Sequence, residues 1–80
     1  PYGIRVNAVA PGHIHPTNIS RTRSEEQNIA AGKRVPLGRH GAPGEIAKVV
    51  AFLASDNASY VTGAEWRVDG GLSVKNALMD

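Results

Sequence analysis

Two short strand-like segments that stand far apart in the sequence constrain this chain more than any other feature. Residues 4–10 alternate apolar and polar side chains and then become wholly apolar, until a Pro-Gly pair ends the run. The length of the run, its β-branched residues and that Pro-Gly pair favour a strand over a helix. A second strand is predicted at about residues 65–69, before a Gly-Gly pair. A long helical crossover between two strands makes them parallel, and such connections are right-handed in nearly all known proteins.

The segment between the strands predicts two helices. Ser24 suits the N-cap of a short helix because Gln27, at the third helical position, completes a capping box, and Pro36 prevents that helix from continuing. The second helix is predicted at about residues 43–54, with Pro43 as its first residue. Its apolar side chains at the i, i+3, i+4 and i+7 spacing of one helix face are Ile46, Val49, Val50 and Leu53. This stripe is predicted to pack against the sheet.

Strand, helices and strand in this order predict an α/β fold, with residues 1–80 as a single partial domain. All-parallel sheets have both faces covered, and two strands cannot complete such a sheet. The strand at 4–10 would therefore present an open backbone edge to another segment. The chain begins with Pro1 where an initiator Met is expected, which likewise predicts that it is cut from a larger fold. A non-catalytic assembly module that associates through this edge is the rival interpretation.

Composition excludes several classes of site and partner. The chain has no cysteine, which excludes a disulfide framework, a thiolate zinc site and a cysteine nucleophile. Nine Lys and Arg against seven Asp and Glu leave a small positive excess, which is concentrated in residues 21–40. No aromatic residue lies between Tyr2 and Phe52 to stack on bases, and no apolar stretch is long enough to cross a bilayer. We therefore expect a cytoplasmic protein with neither a nucleic-acid nor a membrane partner.

A series of short motifs, in one order and spacing, resembles the C-terminal part of the classical short-chain dehydrogenase/reductases. The motifs are YGIRVNAVAPG at 2–12, PLGR at 36–39 followed by Gly41 and Pro43, EIA at 45–47, FLASD at 52–56, ASYVTG at 58–63 and VDGG at 68–71. The resemblance covers roughly residues 1–73. Each motif alone is weak, but their combination is specific for the family, although not for a substrate.

The resemblance implies the C-terminal βαβ portion of a Rossmann-type, doubly wound parallel sheet that lacks its N-terminal dinucleotide-binding half. It also implies the NAD- or NADP-dependent interconversion of a small-molecule alcohol and a carbonyl. The family's catalytic tyrosine is followed four residues later by lysine, whereas Tyr2 is followed there by Val6 and Tyr60 by Ala64. The Gly-x-Gly-x-x-Gly cofactor turn is also absent. We therefore assign no catalytic residue and expect the 80-residue chain alone to be inactive and to bind cofactor weakly.

The same resemblance implies which residues face the cofactor. In the family, the loop after this strand contacts the nicotinamide, which assigns that role to Pro11, Gly12 and Ile14. A threonine commonly follows, but Pro16 stands at its usual position and Thr17 comes one residue later. Either the loop is shifted by one residue, with Thr17 in that role, or this contact is made differently. The cofactor and substrate loop with its lid is predicted to span residues 11–35, and the resemblance implies that residues 17–35 form the substrate lid.

Two histidines and two arginines in this loop each have two interpretations. His13 and His15, one residue apart, could share a metal, but no third ligand follows at a recognisable spacing. A place in the nicotinamide or substrate pocket is favoured for them, and no metal site is predicted. Arg21 and Arg23 could bind an anionic group of the substrate, or they could belong to a solvated lid surface.

A subunit interface is the last feature that the resemblance implies. In the family, the final helix and final strand pack across a two-fold axis, so Phe52, Trp66 and Val68 are candidate interface residues of a homo-oligomer. Tryptophan is enriched at such interfaces. Burial of Trp66 within its own subunit is the alternative.

Overall fold

A computed structural model of the chain describes residues 2–74, so Pro1 lies outside the described residues. Its regular elements are strand β1 (Ala8–Pro11), helix α1 (Glu25–Lys33), helix α2 (Pro43–Ala54) and strand β2 (Glu65–Val68). Short 3₁₀ turns at Ser20–Thr22, Asp56–Ala58 and Leu72–Val74 lie between and after them. Within residues 2–74, no helix is long and apolar enough to cross a membrane.

The two strands pair in parallel, which confirms the predicted α/β fold. Ala8 lies opposite Glu65 and Pro11 lies opposite Val68. The pairing is extended by one hydrogen bond beyond the end of β1, where the Gly12 N–H donates to the Val68 carbonyl at 3.1 Å. Because the strands are parallel, both carboxyl ends lie at the same edge of the sheet.

The first strand begins at Ala8, so the prediction of a strand from residue 4 was wrong for its first half. The Asn7 side chain explains this start. Its Nδ2 donates to the Val61 carbonyl at 3.0 Å, and its Oδ1 accepts from the Ala64 N–H at 3.0 Å. A longer ladder in this register would use the Ala64 N–H, and because Asn7 Oδ1 accepts from it, regular pairing starts one residue later. Ile4 and Val6 are left exposed.

Helix α1 begins as its sequence predicts. The Gln27 N–H donates to Ser24 Oγ at 3.1 Å, and the Ser24 N–H donates to Gln27 Oε1 at 2.9 Å, which confirms the capping box. The helix is polar on most of its surface and buries only Asn28 and Gly32. At its end, a Cβ on Gly32 would lie 2.9 Å from the backbone nitrogen of His40, so α1 and the following loop approach closely.

Helix α2 starts at Pro43 and contacts β1. The predicted apolar stripe is only partly covered: Leu53 is buried, Ile46 and Val49 are half-buried, and Val50 is exposed. The prediction that the whole stripe packs against the sheet was therefore wrong for Val50. The reason is width, since two strands of four residues each do not reach under the full helix face.

Candidate functional site

A cavity of about 430 Å³ opens beside the carboxyl end of β1. The segment that follows β1, the lid and the first turn of α2 form its wall. The lining residues are Pro11, Gly12, His13, Ile14, Thr17, Ile19, Ser20, Arg23, Pro43 and Ile46. Ligands of α/β proteins bind outside the carboxyl ends of parallel strands, and the volume falls in the range of small-molecule sites. We call this the β1 cavity.

A second cavity of about 290 Å³ lies over the end of β2. His13, Ile14 and Ile46 line both cavities and therefore stand between them. The far wall of the second cavity includes Val68 and Asp69.

Gly12 lets the two strand ends approach. A Cβ at this position would lie 2.6 Å from the Asp69 Cβ and 2.8 Å from its Cα, which is closer than side chains pack. The Asp69 carboxylate accepts hydrogen bonds from the backbone N–H groups of Gly71 (3.0 Å) and Ser73 (3.1 Å). The Ser73 hydroxyl, together with these amides, holds the pKa of Asp69 below its ordinary value. These hydrogen bonds fix the turn after β2 directly beside Gly12, which lines the β1 cavity.

The start of the lid is held by a compact hydrogen-bond group. Ser20 is buried, and its Oγ accepts from the Thr17 N–H at 2.8 Å and lies 2.7 Å from His15 Nδ1. Thr17 Oγ1 accepts from the Ser20 N–H at 3.0 Å. Asn28 of α1 donates from Nδ2 to the Ser20 carbonyl at 3.0 Å. The Thr17 hydroxyl proton has no acceptor among residues 2–74, so it is free for a ligand in the cavity.

His13 is a neutral imidazole in a defined tautomer. Arg23 Nη1 lies 3.3 Å from His13 Nδ1, and because a guanidinium can only donate, Nδ1 accepts and the ring proton resides on Nε2. That Nε2 is buried and makes no hydrogen bond within residues 2–74. Burial lowers the pKa of His13, and the charge of Arg23 and the nearby rings of His40 and His15 lower it further, against a smaller opposing effect of the Asn28 backbone. His13 therefore stays neutral at pH 7.

His40 joins this group through backbone pairing. The His15 N–H donates to the Gly41 carbonyl at 3.0 Å, and the Gly41 N–H donates to the His13 carbonyl at 2.9 Å. The His40 ring consequently lies 6.0 Å from that of His13 and 5.2 Å from that of His15, measured between centroids. The sequence contains no signal for this approach of the His40 ring. Among residues 2–74, no three His, Cys, Asp or Glu side chains are arranged to hold a metal ion.

The residues predicted from sequence are only partly brought together. The four assigned to the cofactor line the β1 cavity, as do His13 and Arg23, whereas His15 and Arg21 do not line it. Ile19, Ser20, Pro43 and Ile46 also line it and were not predicted as site residues.

The three candidate interface residues separate into two places. The rings of Phe52 and Trp66 lie 5.7 Å apart between centroids and are 39% and 37% exposed. Val68 lies instead in the wall of the second cavity.

Comparison with known proteins supports this part of the fold. A family model described as enoyl-(acyl carrier protein) reductase matches residues 1–73. A crystal structure of a short-chain dehydrogenase from Bacillus anthracis superposes with a TM-score of 0.74 at 44% identity, over 90% of this chain and 27% of that one. The chain belongs to the short-chain dehydrogenase/reductase family. Its strands and helices accordingly match part of a Rossmann-like fold, in a family of oxidoreductases.

Relatives within this family carry different names. The 3-oxoacyl-(acyl-carrier-protein) reductase FabG of Thermotoga maritima is 52% identical over 71 residues, which cover 89% of this chain and 28% of the relative. The 3β-hydroxysteroid dehydrogenase 1 of Eggerthella lenta is 47% identical over 73 residues, which cover 90% of this chain and 28% of the relative. The chain thus spans 28% of the length of these two relatives.

Proposed function

We propose that this chain forms the nicotinamide side of an NAD(H)- or NADP(H)-dependent oxidoreductase that interconverts an alcohol and a carbonyl. The observation that carries the proposal is the β1 cavity, which Pro11, Gly12, Ile14 and Thr17 line at the carboxyl end of a parallel strand. The bound cofactor supplies the hydride acceptor or donor, and this chain supplies groups that hold its nicotinamide and the substrate beside it.

The backbone of Ile14 fits a carboxamide. In its pairing with Gly41, the neighbouring residues His13 and His15 provide the hydrogen bonds. The N–H and the C=O of Ile14 itself have no partner among the described residues. A primary carboxamide needs one acceptor and one donor of this kind, and the free Thr17 hydroxyl proton offers a further contact.

The isolated chain is expected to lack activity. Neither Tyr2 nor Tyr60 is followed by lysine at the catalytic spacing, and no glycine-rich turn is present for the pyrophosphate. We therefore expect the 80-residue chain to show no dehydrogenase activity and no saturable NADH binding at micromolar concentrations. Saturable enhancement of NADH fluorescence in that range would contradict this expectation.

An amide NMR titration tests the nicotinamide site in this chain. Nicotinamide mononucleotide at millimolar concentration should shift the amide signals of Gly12, Ile14 and Thr17 more than adenosine monophosphate, which carries the same phosphate. Thr17→Val should weaken the response, while Thr62→Val, a matched change whose hydroxyl accepts from the Val6 N–H outside the cavity, should not. Equal responses to both nucleotides, or shifts confined to other residues, would refute the assignment.

Self-association through α2 and β2 is a further part of the proposal. Phe52 and Trp66 form an exposed aromatic pair, and Ile4 and Val6, which precede β1, are exposed as well. We propose that these surfaces contact a second copy in a homo-oligomer. If self-association persists without a nicotinamide response, the rival assembly module becomes the better description.

A further inference from the structure

Arg23 is the one formally charged side chain in the described wall of the β1 cavity. The other lining residues are apolar or glycine, apart from His13, Thr17 and Ser20. His13 is neutral, and the Ser20 hydroxyl is engaged within the lid. A ligand in this cavity therefore meets a single positive charge on an otherwise mainly apolar surface.

No carboxylate compensates that charge in the described residues. The ion pairs within residues 2–74 are those of Arg39 with Glu45 and of Arg67 with Glu65. Glu25 and Glu26 follow Arg23 closely in sequence, but they lie in the first turn of α1 and form no ion pair with it.

His13 holds Arg23 without neutralising it. The imidazole Nδ1 accepts from Arg23 Nη1 at 3.3 Å, and the His13 carbonyl is itself tied to the Gly41 N–H at 2.9 Å. A carboxylate in this position would cancel the positive charge, whereas a neutral imidazole only orients it. The remaining N–H groups of the guanidinium keep their capacity to donate to an anion.

We propose that the β1 cavity accepts a substrate whose apolar chain bears an anionic group, a carboxylate or a phosphate monoester, and that Arg23 binds this group. The proposal rests on the proposed function, because it names the substrate class of the same cavity. It also decides between the two interpretations given for the arginines of the lid. Arg23 binds the anionic group of the substrate, whereas Arg21 belongs to the solvated surface.

Three six-carbon probes test the proposal on the 80-residue chain: hexanoate, hexyl phosphate and the neutral hexanamide. Dissociation constants come from NMR titration of the amide signals of Ile14 and Thr17. We expect at least one anion to bind about tenfold more tightly than hexanamide, since a charged hydrogen-bonded pair supplies roughly that factor. Binding of either anion through Arg23 supports the proposal, and the tighter one identifies the anionic group.

The variants separate charge from folding. Arg23→Gln should remove the preference for the anion, Arg23→Lys should retain part of it, and Arg21→Gln, the same loss of charge two residues away, should leave it unchanged. The His13 ring gives an independent readout: a bound anion offsets the Arg23 charge, so its titration midpoint should rise in the native chain and stay constant in Arg23→Gln. Equal affinity for hexanamide and both anions, or equal effects of Arg21→Gln and Arg23→Gln, would overturn the proposal.

The nucleotide titration distinguishes this failure from failure of the proposed function. A response of Ile14 to nicotinamide mononucleotide, together with no anion preference, would remove the anionic substrate and leave the nicotinamide site. An anion preference together with equal responses to the two nucleotides would support Arg23 as an anion site and count against the cofactor role of the cavity.

Discussion

Replacing Gly12 by alanine tests whether the close approach of the two strand ends forms the β1 cavity. The added Cβ would lie 2.6 Å from the Asp69 Cβ and 2.8 Å from the Asp69 Cα. Carbon atoms in contact are normally about 3.5–4.0 Å apart, so the strand ends must separate by roughly 1 Å. The Asp69 Cα belongs to the backbone, and a change of rotamer therefore cannot relieve the contact.

The magnitude follows from two effects. Overpacking of this kind costs about 1–3 kcal/mol, and loss of the Gly12 N–H bond to the Val68 carbonyl, 3.1 Å in the native chain, adds about 1 kcal/mol. We expect Gly12→Ala to lower the free energy of unfolding by about 2–4 kcal/mol. Gly44→Ala is the matched control, because no heavy atom lies within 4 Å of its added Cβ. In helix α2 that change should stabilise the chain by up to about 1 kcal/mol.

Urea unfolding followed by the fluorescence of Trp66, the one tryptophan, measures both changes. At equal slope, the midpoint should fall for Gly12→Ala and rise slightly for Gly44→Ala. A Gly12→Ala midpoint at or above that of the native chain would refute the close approach. The same variant should also weaken the nucleotide response of the cavity, because it displaces one wall.

Three further outcomes are expected. The bidentate pair with Arg39 (2.8 and 3.1 Å) and the Ala42 N–H lower the pKa of Glu45 from 4.5 to about 2. Arg39→Gln should therefore raise the pKa of Glu45 in a carboxyl NMR titration, and an unchanged pKa would contradict the ion pair. Because the pKa of His13 is lower in the folded chain than its ordinary 6.5, the unfolded chain binds the proton more readily. The free energy of unfolding should therefore fall as pH drops below about 7. His13→Gln should reduce this pH dependence in urea unfolding at several pH values, and an equal pH dependence in both proteins would contradict the role of His13. Phe52→Ser should reduce self-association in analytical ultracentrifugation more than Tyr60→Ser, because Tyr60 is fully exposed and makes no ring contact among residues 2–74. Equal effects of the two changes would argue against the aromatic pair as the contact.

Several features could be predicted because they depend on neighbours in the sequence. The capping box joins Ser24 to Gln27 within one helical turn, so the residue types alone identify it. Parallel pairing follows from the length of the connection between the two strands. The position of Gly12 at the carboxyl end of a parallel strand follows as well, and with it the place where a cavity should open.

Other features depend on residues that are distant in sequence. The strand starts at Ala8 because the Asn7 amide bonds to Val61 and Ala64, and no periodicity encodes that contact. Val50 has the spacing of a core residue, but its exposure is decided by the width of the sheet beneath it.

By itself, the sequence determined the α/β order of elements and the family resemblance, because the spacing of residues within short segments carries both. Only the tertiary structure decided which side chains meet at the loop after β1. The pairing of Ile14 with Gly41 brings His40 to His13, and the course of the lid places Arg23 on the His13 ring while Arg21 stays outside the cavity. Contacts of this kind depend on the path of irregular loops, whose backbone angles no repeating pattern of residues specifies.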